Sequence, residues 1–214
     1  MATQIDNKGD GLWIGDVSTD KIGFFGSTPI AQPAGTGFIQ LPLMSWLNEG
    51  EGTTAALAIF ANGDSKVPGF TNLASEGLGV RWNNHATPNP IITTVALPTD
   101  LDASADVVLH VLAVRSATDA SDLVTFTVTA FNNVVGAAAA ADADLGGVTT
   151  AMTDNVLIQE LTLTLAAADI SSTQGMIGLT LQPTDGKLAT IDVTVLGVWL
   201  EYTNNLTNLG LQAG

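Results

Sequence analysis

From about Gly37 onward the chain is built of short runs in which apolar and polar residues alternate, separated by turn-forming residues. The clearest run is 123–130, where Val124, Phe126, Val128 and Ala130 fall on one side and Thr125, Thr127 and Thr129 on the other. A period of two with one wet side is the signature of a half-buried strand. In 157–165, Leu157, Leu161, Leu163 and Leu165 oppose Ile158, Glu160, Thr162 and Thr164, with Gln159 out of step. The run 107–114 is apolar on both sides, which predicts a central strand or one facing a subunit neighbour. Near the end, Ile191, Val193 and Val195 share one parity and Val198, Leu200 and Tyr202 the other. A β-bulge at Leu196-Gly197 keeps both sets on the core side. Trp199 and Tyr202 are expected as core and core-edge residues of this last strand.

Nine runs read as strands: 38–43, 54–61, 77–82, 91–97, 107–115, 123–131, 156–165, 176–181 and 191–202. The predicted class is all-β, an antiparallel β-sandwich of jelly-roll-like form, since nine strands fill two four-stranded sheets with one over. An immunoglobulin-like sandwich satisfies the same alternation. Helix signals are few, and the alanines of 137–141 sit between glycines that argue equally for a loop. The first thirty-odd residues have no amphipathic period, and Pro29, Pro33, Gly35 and Gly37 interrupt the chain. The expected layout is an extended N-terminal arm over 1–36, a sandwich over 37–204 and a tail over 205–214.

Composition changes this picture in one respect. Of 214 residues only 13% are charged while 46% are hydrophobic, against roughly 25% charged in ordinary soluble domains. A surface so poor in charge is expected to be covered by copies of the chain or by another partner. The net charge of −15 comes from 21 acidic and 6 basic residues. The cations Lys8, Lys21, Lys66, Arg81, Arg115 and Lys187 are scattered, which excludes the basic patch that nucleic acid requires and disfavours anionic membranes. There is no cysteine, so no disulfide or thiolate metal site. Residues 1–6 show neither a basic nor an apolar signal region, and synthesis and accumulation in the cytoplasm are expected.

Candidate chemistry is sparse. There is no G-x-S-x-G, P-loop, dinucleotide fingerprint or zinc-ligand set, so no catalytic residue, cofactor or metal is expected. Two histidines exist. His110 lies in an apolar strand, where a hydrogen-bonded structural role is the default, and His85 lies in the loop-like stretch 81–90. If that stretch recognises a ligand, Trp82, Asn84 and His85 are its candidates; the plainer reading is a turn fixed by Asn and Pro. Asp100, Asp102 and Asp106, and separately Asp142 and Asp144, have the oxygen chemistry of a calcium loop but not its spacing, and solvated turns are the plainer reading. Carboxylate pairs for glycoside hydrolysis arise from acidic abundance alone and are unspecific. Trp13, Phe24 and Phe25 lie in the arm, where large aromatics need a pocket on a neighbour, as interface anchors, or on their own domain.

Residues 21–33, Lys-Ile-Gly-Phe-Phe-Gly-Ser-Thr-Pro-Ile-Ala-Gln-Pro, resemble a segment that recurs in structural proteins of tailed-bacteriophage particles. Residues 161–170 and 198–202 look like closing strands of the same group. The resemblance implies a virion component without identifying which, and brings no active-site residue with it; a place on the capsid surface is expected from the decoration reading. Within it, a head decoration or cement protein is expected, partnered by the major capsid protein and by itself as a homo-oligomer, a trimer. A tail fibre or receptor-binding module recognising a cell-surface glycan is the alternative. A particle-borne glycan hydrolase ranks last, and a capsid shell protein is disfavoured by the want of long helices.

Overall fold

The computed structural model describes residues 7–8, 11–12, 35–48, 67–73, 77–83, 86–118, 123–133, 142–153, 156–167, 170, 175–184 and 191–204. They hold the strands β1 (Asn7–Lys8), β2 (Gly11–Leu12), β3 (Gly35–Gln40), β4 (Leu47–Asn48), β5 (Gly69–Leu73), β6 (Gly77–Trp82), β7 (Ile91–Ala96), β8 (Val107–Arg115), β9 (Thr125–Asn133), β10 (Asp142–Val148), β11 (Gln159–Leu165), β12 (Met176–Thr184) and β13 (Val193–Asn204). A 3-10 turn spans Leu43–Ser45.

The architecture is an all-β, antiparallel sandwich of jelly-roll type. One sheet has five strands in the order β10-β9-β12-β7-β4. The other has six: β11-β8-β13-β6-β5, with β3 also on β13. The long strand β13 does double duty along one edge, pairing β6 through Val193–Val195 and β3 through Trp199–Asn204. A separate pair joins β1 to β2, with Asn7 opposite Leu12.

Alternation along the strands becomes two half-buried sheets. Val124, Phe126, Val128 and Ala130 are buried, as are Ile177, Leu179 and Leu181 of β12. From the other sheet come Val107, Leu109, Val111, Val193, Val195, Val198 and Leu200. Between the layers Trp82 of β6 meets Phe126 of β9, edge to face with ring centroids 6.2 Å apart, a geometry favoured by the ring quadrupoles. β8 lies between β11 and β13; its inward side is fully buried, and its outward side is half-buried at Val108, His110 and Leu112. The β13–β8 register shifts between Val195 and Gly197, where the parity change in the sequence demands a bulge.

The sequence pattern did not indicate β4, β5 or β10. β10 runs through Asp, Ala and Gly, residues with little strand preference. It is held by its partner: beyond its end, Thr149 N–H donates to the Phe126 carbonyl and Met152 N–H to that of Val124. The expected strand at 54–61 and the alanine turn at 137–141 lie outside the described residues, as does most of the expected arm.

Candidate functional site

Each sheet has an outer face, and the two differ in chemistry. On the five-stranded sheet the outward positions of β9 and β12 stand opposite one another: Thr125 with Thr184, Thr127 with Gln182, Thr129 with Thr180, and Phe131 with Gly178. β7 adds Ile92 and Thr94, and Val148 of β10 stands beside Thr127. The described side chains of this face carry no charge. Thr127, Thr129, Phe131, Thr180, Gln182 and Pro90 line a half-open trough of about 160 Å³.

Hydrogen bonds set its geometry. Thr129 N–H donates to Thr180 Oγ1 (3.2 Å), and the hydroxyls of Thr127 and Thr184 are 2.7 Å apart. Gln182 Nε2 donates to the Pro88 carbonyl (2.6 Å), fixing both the amide and the segment that leads into β7. A β-carbon on Gly178 would lie 3.3 Å from Phe131 Cβ, so the glycine makes room for the ring. The trough is small beside the roughly 300–1,000 Å³ clefts that enclose small molecules. It suits one unit of a longer neutral chain laid across the strands, with hydroxyls and an amide for polar contacts and one ring face for stacking.

On the six-stranded sheet the outer face centres on His110 of β8. Its Nδ1 lies 2.5 Å from Glu160 Oε1 on β11 and its Nε2 lies 3.2 Å from Glu201 Oε2 on β13. The ring stacks on Trp199 with centroids 5.0 Å apart and planes 5° from parallel. Strand register explains the cluster: Trp199 is directly opposite His110, and Glu201 is opposite both Val108 and Phe38. Phe38 is 60% exposed, and the side chains of Glu160 and Glu201 are 49% and 39% exposed. Farther along the sheet Arg81 pairs with Asp192. His110 thus gathers a hydrogen-bonded carboxylate, Glu160, a second carboxylate, Glu201, close to its other nitrogen, and a stacked indole.

The sequence candidates fall as follows. Trp82 is not a ligand-loop residue in this structure: it is buried in the core, and its indole N–H donates to the Asn89 carbonyl at 2.8 Å. Asn84 and His85 lie outside the described residues, as do Trp13, Phe24 and Phe25. Asp100, Asp102 and Asp106 each meet a protein donor, from Tyr202 Oη, from Ser104 N and Oγ, and from Ala167 N. The Ser104 hydrogen bonds hold the Asp102 carboxyl below its ordinary value. The side chains of Asp142 and Asp144 lie outside what is described. Trp199, expected in the core, faces outward. With a bulge at Leu196-Gly197 and Val198, Leu200 and Tyr202 turned inward, Trp199 takes the opposite side, a consequence already contained in the parity of the strand.

No family model matches this chain and no curated protein matches it. Among solved structures it is similar to a xylan-binding module, CBM15, at 16% identity and a TM-score of 0.49, over 80% of this chain and 99% of that one. It is similar to the CBM22-1–GH10 modules of Clostridium thermocellum endo-1,4-beta-D-xylanase 10B complexed with xylohexaose, at 13% identity and a TM-score of 0.42, over 75% of this chain and 26% of that one. A CBM4 structure is 15% identical with a TM-score of 0.36, over 75% of this chain and 95% of that one. Likenesses at this level concern strand arrangement and assign no ligand.

Proposed function

We propose that this chain is a non-catalytic structural component of a tailed-bacteriophage particle, a decoration or cement protein that strengthens the head by bridging capsomers. The observation that carries the reading is a closed core that still leaves large apolar side chains outside. Phe38, Met44, Leu78, Val148 and Leu157 are 54–70% exposed, and Val156, Leu157 and Ile158 form a consecutive exposed run just before β11. In a chain only 13% charged, such a surface suits burial against the major capsid protein and against other copies in a homotrimer. Attachment then rests on area repeated by symmetry rather than on one site. The resemblance of residues 21–33 to particle proteins supports the place in a particle.

The test is cryo-electron microscopy of the intact particle together with rebinding of purified protein to particles stripped of it. Density over capsomer junctions and saturable rebinding are the expected results. Density at the tail tip, or no rebinding, overturns the decoration reading.

A second reading, a receptor-binding module for a neutral glycan, is favoured by the trough on the five-stranded sheet. Its threonine hydroxyls, the Gln182 amide and the Phe131 ring match the polar edges and apolar faces of sugar rings. Titration with neutral oligosaccharides tests it. Binding that Phe131→Ala abolishes supports it, and an unchanged spectrum at millimolar sugar removes it.

A further inference from the structure

We infer that the outer face of the six-stranded sheet, around Trp199, Phe38 and the Glu160–His110–Glu201 cluster, is a docking surface for a protein partner that presents an arginine side chain. The inference deepens the structural reading above by naming the face and the partner chemistry, and it rests on that reading for the partner's place in a particle.

Four observations carry it. The first is shape: Gln40, Trp199, His110 and Thr162 form one row across β3, β13, β8 and β11, and Phe38, Glu201, Val108 and Thr164 form the next. These rows are successive positions on a sheet rather than the walls of a cleft, which suits a macromolecular surface. The second is composition, since aromatic side chains at the centre of a patch are the residues that dominate protein interfaces. Phe38 is mostly exposed and Trp199 is half-buried.

The third is charge. Both ionisable residues flanking His110 are carboxylates, the described cation on this side of the sheet, Arg81, is held by Asp192, and the whole chain carries −15. A cationic partner is attracted and an acidic one repelled. Arginine fits better than lysine because a planar guanidinium can stack on an indole or phenyl ring while its N–H groups reach a carboxylate. The fourth is preorganisation. The imidazole ring is stacked on Trp199 and hydrogen-bonded to Glu160, so the ring pair and that carboxylate lose little further freedom when a partner arrives.

Two probes test this. In the first, the protein is titrated with a short arginine-containing peptide and with its lysine counterpart, and the indole N–H resonance of Trp199, assigned with Trp199→Phe, is followed by NMR. The expected result is a shift of that resonance, stronger for arginine, with affinity reduced severalfold by Glu201→Gln and unchanged by the charge-matched Asp102→Asn. An unmoved Trp199 resonance, or equal effects of the two substitutions, overturns the inference. In the second, stripped particles are rebound with wild type, Trp199→Ala and Glu201→Gln. A loss of about thirtyfold for Trp199→Ala, the scale of an interface hot spot, with a smaller loss for the conservative Glu201→Gln, is expected. Full rebinding by both variants overturns it. If wild type itself does not rebind, the particle reading fails and the peptide titration alone decides the docking surface.

Discussion

The two outer faces of this sandwich rest on one core and are built by the same alternation, yet they present opposite chemistry. The face of the five-stranded sheet is a ladder of threonines with Gln182 and Phe131, uncharged among its described side chains and cross-linked by its own hydroxyls. The face of the six-stranded sheet gathers Glu160, Glu201, His110, Trp199 and Phe38. The difference teaches that strand alternation chooses only which side chains leave the core. The work those side chains can do depends on which strands lie beside each other. Threonine against threonine yields a neutral surface whose polar groups are partly satisfied within the sheet. A histidine strand laid between two glutamate-bearing strands yields a fixed charge pattern beside exposed aromatics.

The most severe way to break the comparison is to remove the support shared by both faces. Phe126→Ala deletes the ring that meets Trp82 across the core and is expected to cost about 3–5 kcal/mol. Denaturant unfolding measures it, and NMR should show both faces disturbed together. A smaller change separates them. A β-carbon on Gly37 would fall on the tip of the Tyr202 ring, which must swing away and give up its hydrogen bond to Asp100, whereas one on Gly178 meets Phe131 Cβ at 3.3 Å, where the strands need give only a few tenths of an ångström. Gly37→Ala is therefore expected to cost about 1–3 kcal/mol by displacing the Tyr202 ring, and Gly178→Ala to cost less. Equal costs in thermal unfolding would show that the Tyr202 ring swings aside freely.

Salt sharpens the contrast further. Glu160 and Glu201 are more than a third exposed, so solvent screens them and their joint replacement by Gln should change stability by less than about 1 kcal/mol. That change should shrink as ionic strength rises. Thr129→Val on the neutral face should show no salt dependence, and the two melting series against salt decide the matter.

The smallest expected effect is a titration. Tyr202 is the single tyrosine of the chain. Burial, then the charge of Asp100, then its hydrogen bond raise the phenol above its ordinary value of 10.0. A raised folded value favours the protonated form, so this contribution is complete below the unfolded value and falls as pH climbs from about 10 toward the folded value. Phenolate absorbance should show a midpoint above that of free tyrosine, lowered part of the way by Asp100→Asn because burial remains.

Much of the fold is legible along the chain. The buried sets 124, 126, 128, 130 and 198, 200 are apolar at period two, and the parity change in the last strand locates its bulge, because the pleat itself forces alternate residues to opposite sides. Strand ends were less legible: β12 and β13 continue past their apolar runs through Thr184 and Asn204, since backbone pairing with a neighbour does not require apolar side chains. β10 was hidden for the same reason.

The sites were legible only in halves. Thr127, Thr129, Glu160 and Thr162 could be read as outward residues, but nothing local says that Glu160 meets His110, fifty residues earlier, or that Trp199 stacks on that ring. Likewise Trp82, which ends a strand and enters a polar loop, looks available for a ligand until Phe126 from the other sheet covers it. The sequence by itself determined which side chains are apolar, how they alternate, and that the chain makes a charge-poor sandwich. The tertiary structure alone decided the neighbours, because strand order and register are set by pairing between distant segments, while alternation is a property of each strand alone.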